Sequence, residues 1–295
     1  MRQRAHYWLA LLVLRTLEWS PRPLSMALAH VYVRLLDRII PRLRRAGLHN
    51  LQMAMPALTR ARRNQIVDGV FESIARMLVT VAKFTKIHKH NLPRWIRFEG
   101  MDHFHEAKAA GKGVLFATAH LGNWELSAFA HALVNGPMHV VARPLDHPQI
   151  DALIEQRREL SGNHVILKKD AARAILRALR ANEAVGVLID QNTAAEEGVF
   201  VNFFGVPACA NKAFMRLASA SGAAVIPGFA LWSEAEQRYV LRFYPPINLT
   251  GDVTRDTQAL HSKLEEVIRD YPDQWMWIHR RWKTRPPGEQ ALSAD

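Results

Sequence analysis

Hydrophobic and polar positions follow two different rhythms along this chain. Up to about residue 100 the pattern is helical. From Leu24 to Ile40 apolar residues fill most positions, His30, Arg34, Asp37 and Arg38 share one face, and Pro41 stops the run. From Arg60 to Phe84 the residues Ile66, Val67, Val70, Phe71, Ile74, Met77, Leu78 and Val81 recur at three- and four-residue steps, which predicts a helix with one buried stripe. From about Gly111 short apolar runs alternate with helical stretches. Strands are expected at Val114–Ala119, Met138–Ala142, Val165–Leu167, Val185–Ile189, Ala224–Leu231 and Tyr239–Tyr244. Helices are expected at Glu125–Val134, from Pro148 to about Leu160, from an N-cap at Asp170 to Asn182, at Asn211–Ser221 and at Thr254–Tyr271. Such alternation predicts an α/β fold, with a mixed, mostly parallel sheet flanked by helices. No repeat, low-complexity tract or Gly/Ser linker interrupts it. The expected organisation is an interfacial or membrane-anchoring helix over residues 1–23, a helical region over 24–100 packed on the core, and an α/β core over 101–295.

The N-terminal run from Tyr7 to Leu14 is apolar but is broken by Arg15, then by Glu18 and Pro21-Arg-Pro23. A spanning helix needs roughly twenty apolar residues, and a signal peptide needs a small-residue cleavage site. The run fits a short interfacial helix, with Trp8 and Trp19 at headgroup depth and Arg2, Arg4 and Arg15 toward anionic lipid; an ordinary buried helix is the alternative. The formal net charge of +12 points to an anionic counterpart: nucleic acid, an acidic lipid surface or an acidic protein. The single cysteine, Cys209, excludes an internal disulfide framework. Nucleic-acid binding has little support, because the basic residues are scattered among apolar helices and no nucleic-acid-binding signature is present.

The segment Ala117-Thr-Ala-His120-Leu-Gly-Asn-Trp-Glu125 holds the candidate chemistry. In an open α/β sheet ligands bind beyond the carboxyl ends of strands, which is where His120 falls. Glu125 lies in the first turn of the next helix, and Gly122 allows the chain to turn sharply between them. A carboxylate five positions on can fold back on the imidazole, fix its tautomer and stabilise the imidazolium. The same pair also suits a histidine that merely satisfies a strand-to-helix junction. Neither a zinc motif of paired histidines nor a Gly-x-Ser-x-Gly elbow occurs, so no metal is expected and the nucleophile is expected to be a substrate hydroxyl.

His120-X4-Glu125 resembles the His-X4-Asp/Glu motif of glycerolipid acyltransferases. The fuller string is similar to that of the late, lauroyl- or myristoyl-type acyltransferases of lipid A biosynthesis. Further blocks resemble that family in order: Val140-Val-Ala-Arg143-Pro144 with the Arg158…Gly162 segment, Leu188-Ile-Asp190-Gln191-Asn192, Val201-Asn-Phe-Phe204-Gly205-Val-Pro207-Ala208, Gly222-Ala-Ala-Val-Ile-Pro227, and Tyr271 to Pro286. Two features depart from it: Cys209-Ala210 stands where the family usually has a threonine, and the N-terminal apolar segment is short. The resemblance implies transfer of a fatty acyl group from an acyl carrier protein or CoA thioester to a hydroxyl of a lipid A precursor, at the cytoplasmic face of a bacterial inner membrane, by a peripheral or monotopic enzyme without a cofactor. An acidic carrier protein, a phosphorylated glycolipid acceptor and an anionic membrane surface would account for the charge. Relatives acting on another glycolipid, an ornithine-type lipid or a polyene lipid share the motif. By the same resemblance His120 is the general base and Glu125 its orienter. Arg143 and Arg158 are candidates for donating to the developing oxyanion or holding phosphate, with plain solvation as the alternative. Asn123 is a candidate oxyanion donor or a helix cap. Asp190 and Gln191 end the Val185–Ile189 strand and so face the same crevice, with a polar turn after a buried strand as the alternative. Phe203, Phe204 and Gly205 line an acyl or pantetheine channel or belong to the core. The tail His279-Arg280-Arg281-Trp-Lys283 meets lipid phosphates, with Trp275, Trp277 and Trp282 at the interface, or is a solvated basic tail.

Overall fold

A computed structural model describes residues 2–167 and 171–289. The chain begins with four helices, α1 (Arg2–Trp19), α2 (Arg22–Ile39), α3 (Pro41–Ala54) and α4 (Arg60–Ala82). Prolines at the first turns of α2 and α3 lose nothing by lacking an N–H there, and Thr59 caps α4 by accepting from Arg62 N at 3.2 Å. The alternating part follows as β1 (Ile96–Glu99), α5 (Met101–Ala109), β2 (Val114–Thr118), α6 (Trp124–Asn135), β3 (His139–Ala142), α7 (Pro148–Glu159), β4 (His164–Leu167), α8 (Ala171–Arg180) and β5 (Ala184–Leu188). A hairpin of β6 (Gly198–Phe203) and β7 (Val206–Asn211) precedes α9 (Ala213–Ser221), β8 (Ala224–Ser233), β9 (Arg238–Phe243) and α10 (Val253–Asp270).

Seven strands form one sheet in the order β1-β9-β8-β2-β5-β3-β4, and β6–β7 is a separate antiparallel pair. Strands β8, β2, β5, β3 and β4 run parallel; β9 is antiparallel to β8, and β1 follows β9. The mixed, mostly parallel sheet flanked by helices is therefore present. Successive side chains of β2 point to opposite faces. Val114 and Phe116 enter a core with Phe129, Ile226, Leu241 and Phe243, whereas Leu115 and Ala117 enter one with Val185, Met215, Val225 and Leu264. That second core continues into the N-terminal helices through Leu51, Ile66, Val67, Val70 and Leu17, so helices and sheet share one interior.

Several elements differ from the expected pattern. β1, α5 and the β6–β7 hairpin carry no strong periodic signal and are seen only in three dimensions. The helix expected from Asn211 starts at Ala213, because Asn211 ends β7 in register with Gly198. The N-cap expected at Asp170 lies outside the described residues. No helix among the described residues is long and apolar enough to cross a membrane. The C-terminal tryptophans are core rather than interface: Trp275 and Trp277 are 0% exposed, Trp282 is buried, and Arg281 is fully buried beneath Phe203 while donating to Cys209 O at 2.7 Å. Burial lowers the Arg281 pKa to about 10 against the opposing charge of Asp190.

Candidate active site

Parallel pairing of β2 with β5 creates the site. Thr118 is in register with Leu188, and Ile189 N donates to Thr118 O at 2.9 Å, so residues two beyond each strand emerge side by side. These are His120 and Asp190. His120 Nδ1 is 2.9 Å from Asp190 Oδ1, and the backbone N–H of His120 donates to Asp190 Oδ2 at 3.0 Å. The fully buried Asp190 also accepts from Trp275 Nε1 at 2.8 Å. Trp275 is held there because its segment runs under the strand ends: Leu121 bridges to Trp275, Gly122 N donates to Gln274 O, and Met276 N donates to His120 O. Gly122 has φ +65°, and a Cβ there would stand 2.0 Å from Ala230 O, so only glycine fits this turn.

Asp190 fixes the tautomer. A carboxylate accepts only, so Nδ1 carries the proton and Nε2 presents its lone pair outward, where the exposed Gln191 amide approaches at 3.3 Å. Burial acts to lower the His120 pKa, but the charge and hydrogen bond of Asp190 and the charge of Glu125 outweigh it and raise the net value above 6.5. Burial alone would raise the Asp190 pKa; the His120 charge and hydrogen bond, aided by His279 and the Trp275 N–H, hold it below the ordinary carboxylate value. The Trp124 ring stands edge-on to the imidazole at 4.8 Å.

Glu125 is occupied differently from expectation. Both its oxygens receive Arg158, at 2.9 Å from Nε and 2.5 Å from Nη2, in a bidentate pair that raises the arginine's pKa against its burial. Its link to His120 is through its charge, while the carboxylate hydrogen-bonded to the ring is Asp190. Asn123 is fully buried and caps α6, accepting from Leu126 N at 3.0 Å, which is the capping role of its two alternatives. Arg143 is exposed at the cavity mouth and pairs with Asp146 at 3.0 Å. Phe204 and Gly205 are not among the described residues lining the cavity. Their φ values of +58° and +77° make the two-residue turn of the β6–β7 hairpin, and the Phe204 ring packs on Trp277 at 5.5 Å. Cys209 lies on the paired strand, where its Sγ would be 2.2 Å from a Cβ at Gly198, so this cysteine occupies the space that glycine leaves.

His120, Glu125, Arg158 and Gln191 open on a cavity of about 880 Å³ that wraps the carboxyl ends of the central strands. Phe116, Phe129, His131 and Met138 line it on one face of the sheet, and Ile175, Phe214, Leu260 and His261 on the other. Thr118 lines it too, and its buried Oγ1 has no hydrogen-bond partner among the described residues. Sequence reasoning passes over Thr118, although alternation that puts 116, 118 and 120 on one face is a signal for it; Trp275 carries no such signal. The described residues hold no cluster of metal-ligating side chains.

The model of the bacterial lipid A biosynthesis acyltransferase family matches residues 1–284. The lipid A biosynthesis lauroyltransferase of Escherichia coli strain K12 is 29% identical over 284 residues, covering 95% of this chain and 92% of that protein. The palmitoleoyltransferase of lipid A biosynthesis from the same strain is 28% identical over 248 residues, covering 82% and 79%. A lipid A biosynthesis acyltransferase of Haemophilus influenzae is 28% identical over 242 residues, covering 81% and 76%. With a strand-end histidine facing a large, mostly apolar cavity and a family match over nearly its whole length, the chain belongs to the bacterial lipid A biosynthesis acyltransferases and is an O-acyltransferase.

Proposed function

We propose that this enzyme moves a fatty acyl group from an acyl carrier protein thioester, or the CoA thioester, to a hydroxyl of a lipid A precursor, with His120 as general base. The observation that carries this reading is the His120–Asp190 pair at 2.9 Å, with Nε2 turned to the cavity and met there by the Gln191 amide. The acceptor hydroxyl displaces the Gln191 amide at Nε2 and gives up its proton as its oxygen attacks the thioester carbonyl. The C–O bond forms, the C–S bond breaks, and the imidazolium returns the proton to the leaving thiolate. The buried Thr118 hydroxyl is a donor available to the developing oxyanion. Glu125 adds a second negative charge that favours the imidazolium and holds Arg158 at the mouth, suited to a phosphorylated acceptor.

Adsorption to an anionic membrane surface completes the reading. On α1 Trp8, Leu9, Leu12 and Trp19 are exposed, and on α2 Leu24, Val31, Leu35 and Ile39. Exposed Arg4, Arg15, Arg22, Arg34 and Arg38 lie among them. Apolar side chains in a basic surround are the signature of a helix lying in the lipid interface. His6 of α1 meets His147 at 6.5 Å, beside the cavity-lining loop from Arg143 to Asp146, so this surface leads to the cavity mouth.

The test is transfer itself. Membranes containing the enzyme, supplied with acyl carrier protein thioesters and a lipid A precursor, should yield a lipid heavier by one acyl chain, measured by mass spectrometry. His120→Ala should lower the rate on the order of 10²- to 10⁴-fold in a folded protein. Full transfer by that variant would refute the mechanism.

A further inference from the structure

Helix α6 runs from the catalytic mouth into the molecule, and its cavity-facing stripe is Trp124, Glu125, Ala128 and His131, spaced at three and four residues. Opposite it lies the face of the sheet that carries Phe116 and Thr118. At the inner end, four features close the space. The His131 ring is 2% exposed and stands edge-on to Phe116 at 5.0 Å and to Phe243 at 6.1 Å. Phe116 and Phe243 stack at 5.0 Å. Phe243 lies over Gly228, where a Cβ would meet its ring at 2.9 Å. Met138 lies over Gly186, where a Cβ would meet its Cε at 2.8 Å, and Gly186 is paired directly with Phe116. Two glycines flanking β2 thus let a ring and a thioether lie flat on the sheet and make a floor.

His131 is a polar group at the end of an apolar channel. Burial, then the nearby charges of Lys108 and His105, push its pKa down to about 3, so it is neutral throughout the working range. Its Nδ1 is 3.2 Å from the Asn135 side-chain amide and accepts from it, fixing the ring. A hydrocarbon terminus gains nothing from an imidazole tethered in this way and would have to displace a packed ring to pass it.

The depth follows from the elements. Four residues from His120 to Phe116 span about 13 Å at strand rise, and six from Glu125 to His131 about 9 Å along the helix. An extended chain of single C–C bonds advances about 1.3 Å per carbon, so the channel holds roughly seven to ten carbons beyond the carbonyl. We propose that this channel is the acyl-chain site, and that His131 with Phe116, Phe243 and Met138 forms a floor restricting transfer to medium chains of about eight to twelve carbons. The inference rests on the acyl-transfer reading above and adds a chain length to it.

A competition assay tests it: acyl carrier protein thioesters of eight to sixteen carbons offered together to the full-length enzyme with a lipid A precursor, and products resolved by mass. Wild type should favour eight to twelve carbons over sixteen by about tenfold or more, since sixteen carbons bring at least four methylenes too many and one misfitting methylene already discriminates about tenfold. His131→Ala should raise the sixteen-to-twelve ratio about tenfold, and Gly186→Ala, lifting Met138 into the channel, should shift the profile to shorter chains. Ratios within one preparation do not depend on how much of a variant is folded. If His131→Ala is inactive, the wild-type profile and Gly186→Ala decide. Equal use of sixteen and twelve carbons by wild type, or ratios unmoved in an active variant, overturns the proposal while leaving acyl transfer intact. No transfer of any chain by wild type refutes the function itself, and this inference with it.

Discussion

At the residue scale the decisive contact is between His120 and a carboxylate seventy positions away. Asp190 does three things at once: it accepts from the ring, from the His120 backbone and from Trp275. Under the proposed mechanism only the neutral imidazole accepts the acceptor's proton, so the rate should fall as pH drops through the raised His120 pKa. Replacing Asp190 with Asn removes the charge that raises this pKa and leaves the burial that lowers it. The acid limb of the kcat/KM profile should therefore move to lower pH, while the plateau falls by on the order of 10²- to 10⁴-fold through loss of the tautomer and of imidazolium stabilisation. A profile with an unmoved limb would remove Asp190 from the mechanism. From sequence, His120 and its strand-end position were legible because the apolar run before it and the glycine after it mark the place. Its partner was not, since Glu125 is nearer in sequence and equally acidic. Only the pairing of Thr118 with Leu188 shows which carboxylate reaches the ring.

Among the elements, α7 couples the N-terminal helices to the site through two consecutive arginines. Arg158 holds Glu125, and Arg157 turns the other way to meet Glu18 of α1 at 2.7 Å, with both side chains buried. Glu18 also accepts from Thr85 at 2.8 Å, Arg157 donates to Ala82 O at 3.1 Å, and Lys83 donates to Glu18 O at 2.8 Å, tying α1 to α4 and α7. Removing Arg157 takes away the buried partner of Glu18 and leaves the half-exposed Arg15, at 2.9 Å, as its remaining ion pair. Arg157→Ala should thus cost up to about 3 kcal/mol, read as a lowered denaturant midpoint, with Arg157→Lys recovering part of it. An unchanged midpoint would mean that the Arg157–Glu18 pair contributes nothing to stability. Legibility varied with how an element earns its place. Buried parallel strands such as β2 and β5 announced themselves as uninterrupted apolar runs. The β6–β7 hairpin did not, because its turn is Phe204-Gly205 with a non-glycine residue at φ +58°, held by packing on Trp277 rather than by ordinary turn chemistry. The tail of Trp275, Trp277 and Arg281 looked like an interfacial basic segment, and the fold makes it the underside of the active site instead.

For the whole molecule, the proposed membrane contact draws on both the net charge of +12 and the exposed apolar side chains of α1 and α2. Ile39 is 75% exposed, Trp19 72% and Trp8 62%, values that a water-facing helix has no reason to keep together. Short apolar helices without a spanning length bind a bilayer by summing partial insertion of a few large side chains with attraction of arginine for anionic lipid. The two contributions separate experimentally. Sedimentation with vesicles of mixed neutral and anionic phospholipid should recover the wild-type protein, and raising the salt to about 1 M should weaken binding by screening the charge within a few ångströms. Changing Trp8, Trp19 and Ile39 to serine should reduce partitioning at least tenfold at any salt, because each such side chain contributes up to about 1.5–3 kcal/mol when fully buried and these are partly inserted. Folding should be undisturbed, since all three already face outward. A loss of activity toward vesicle-embedded acceptor, with activity toward detergent-dispersed acceptor preserved, is the expected result, because the cavity mouth beside His147 would no longer be held at the bilayer surface. Equal vesicle binding by the triple variant would move the membrane contact away from α1 and α2.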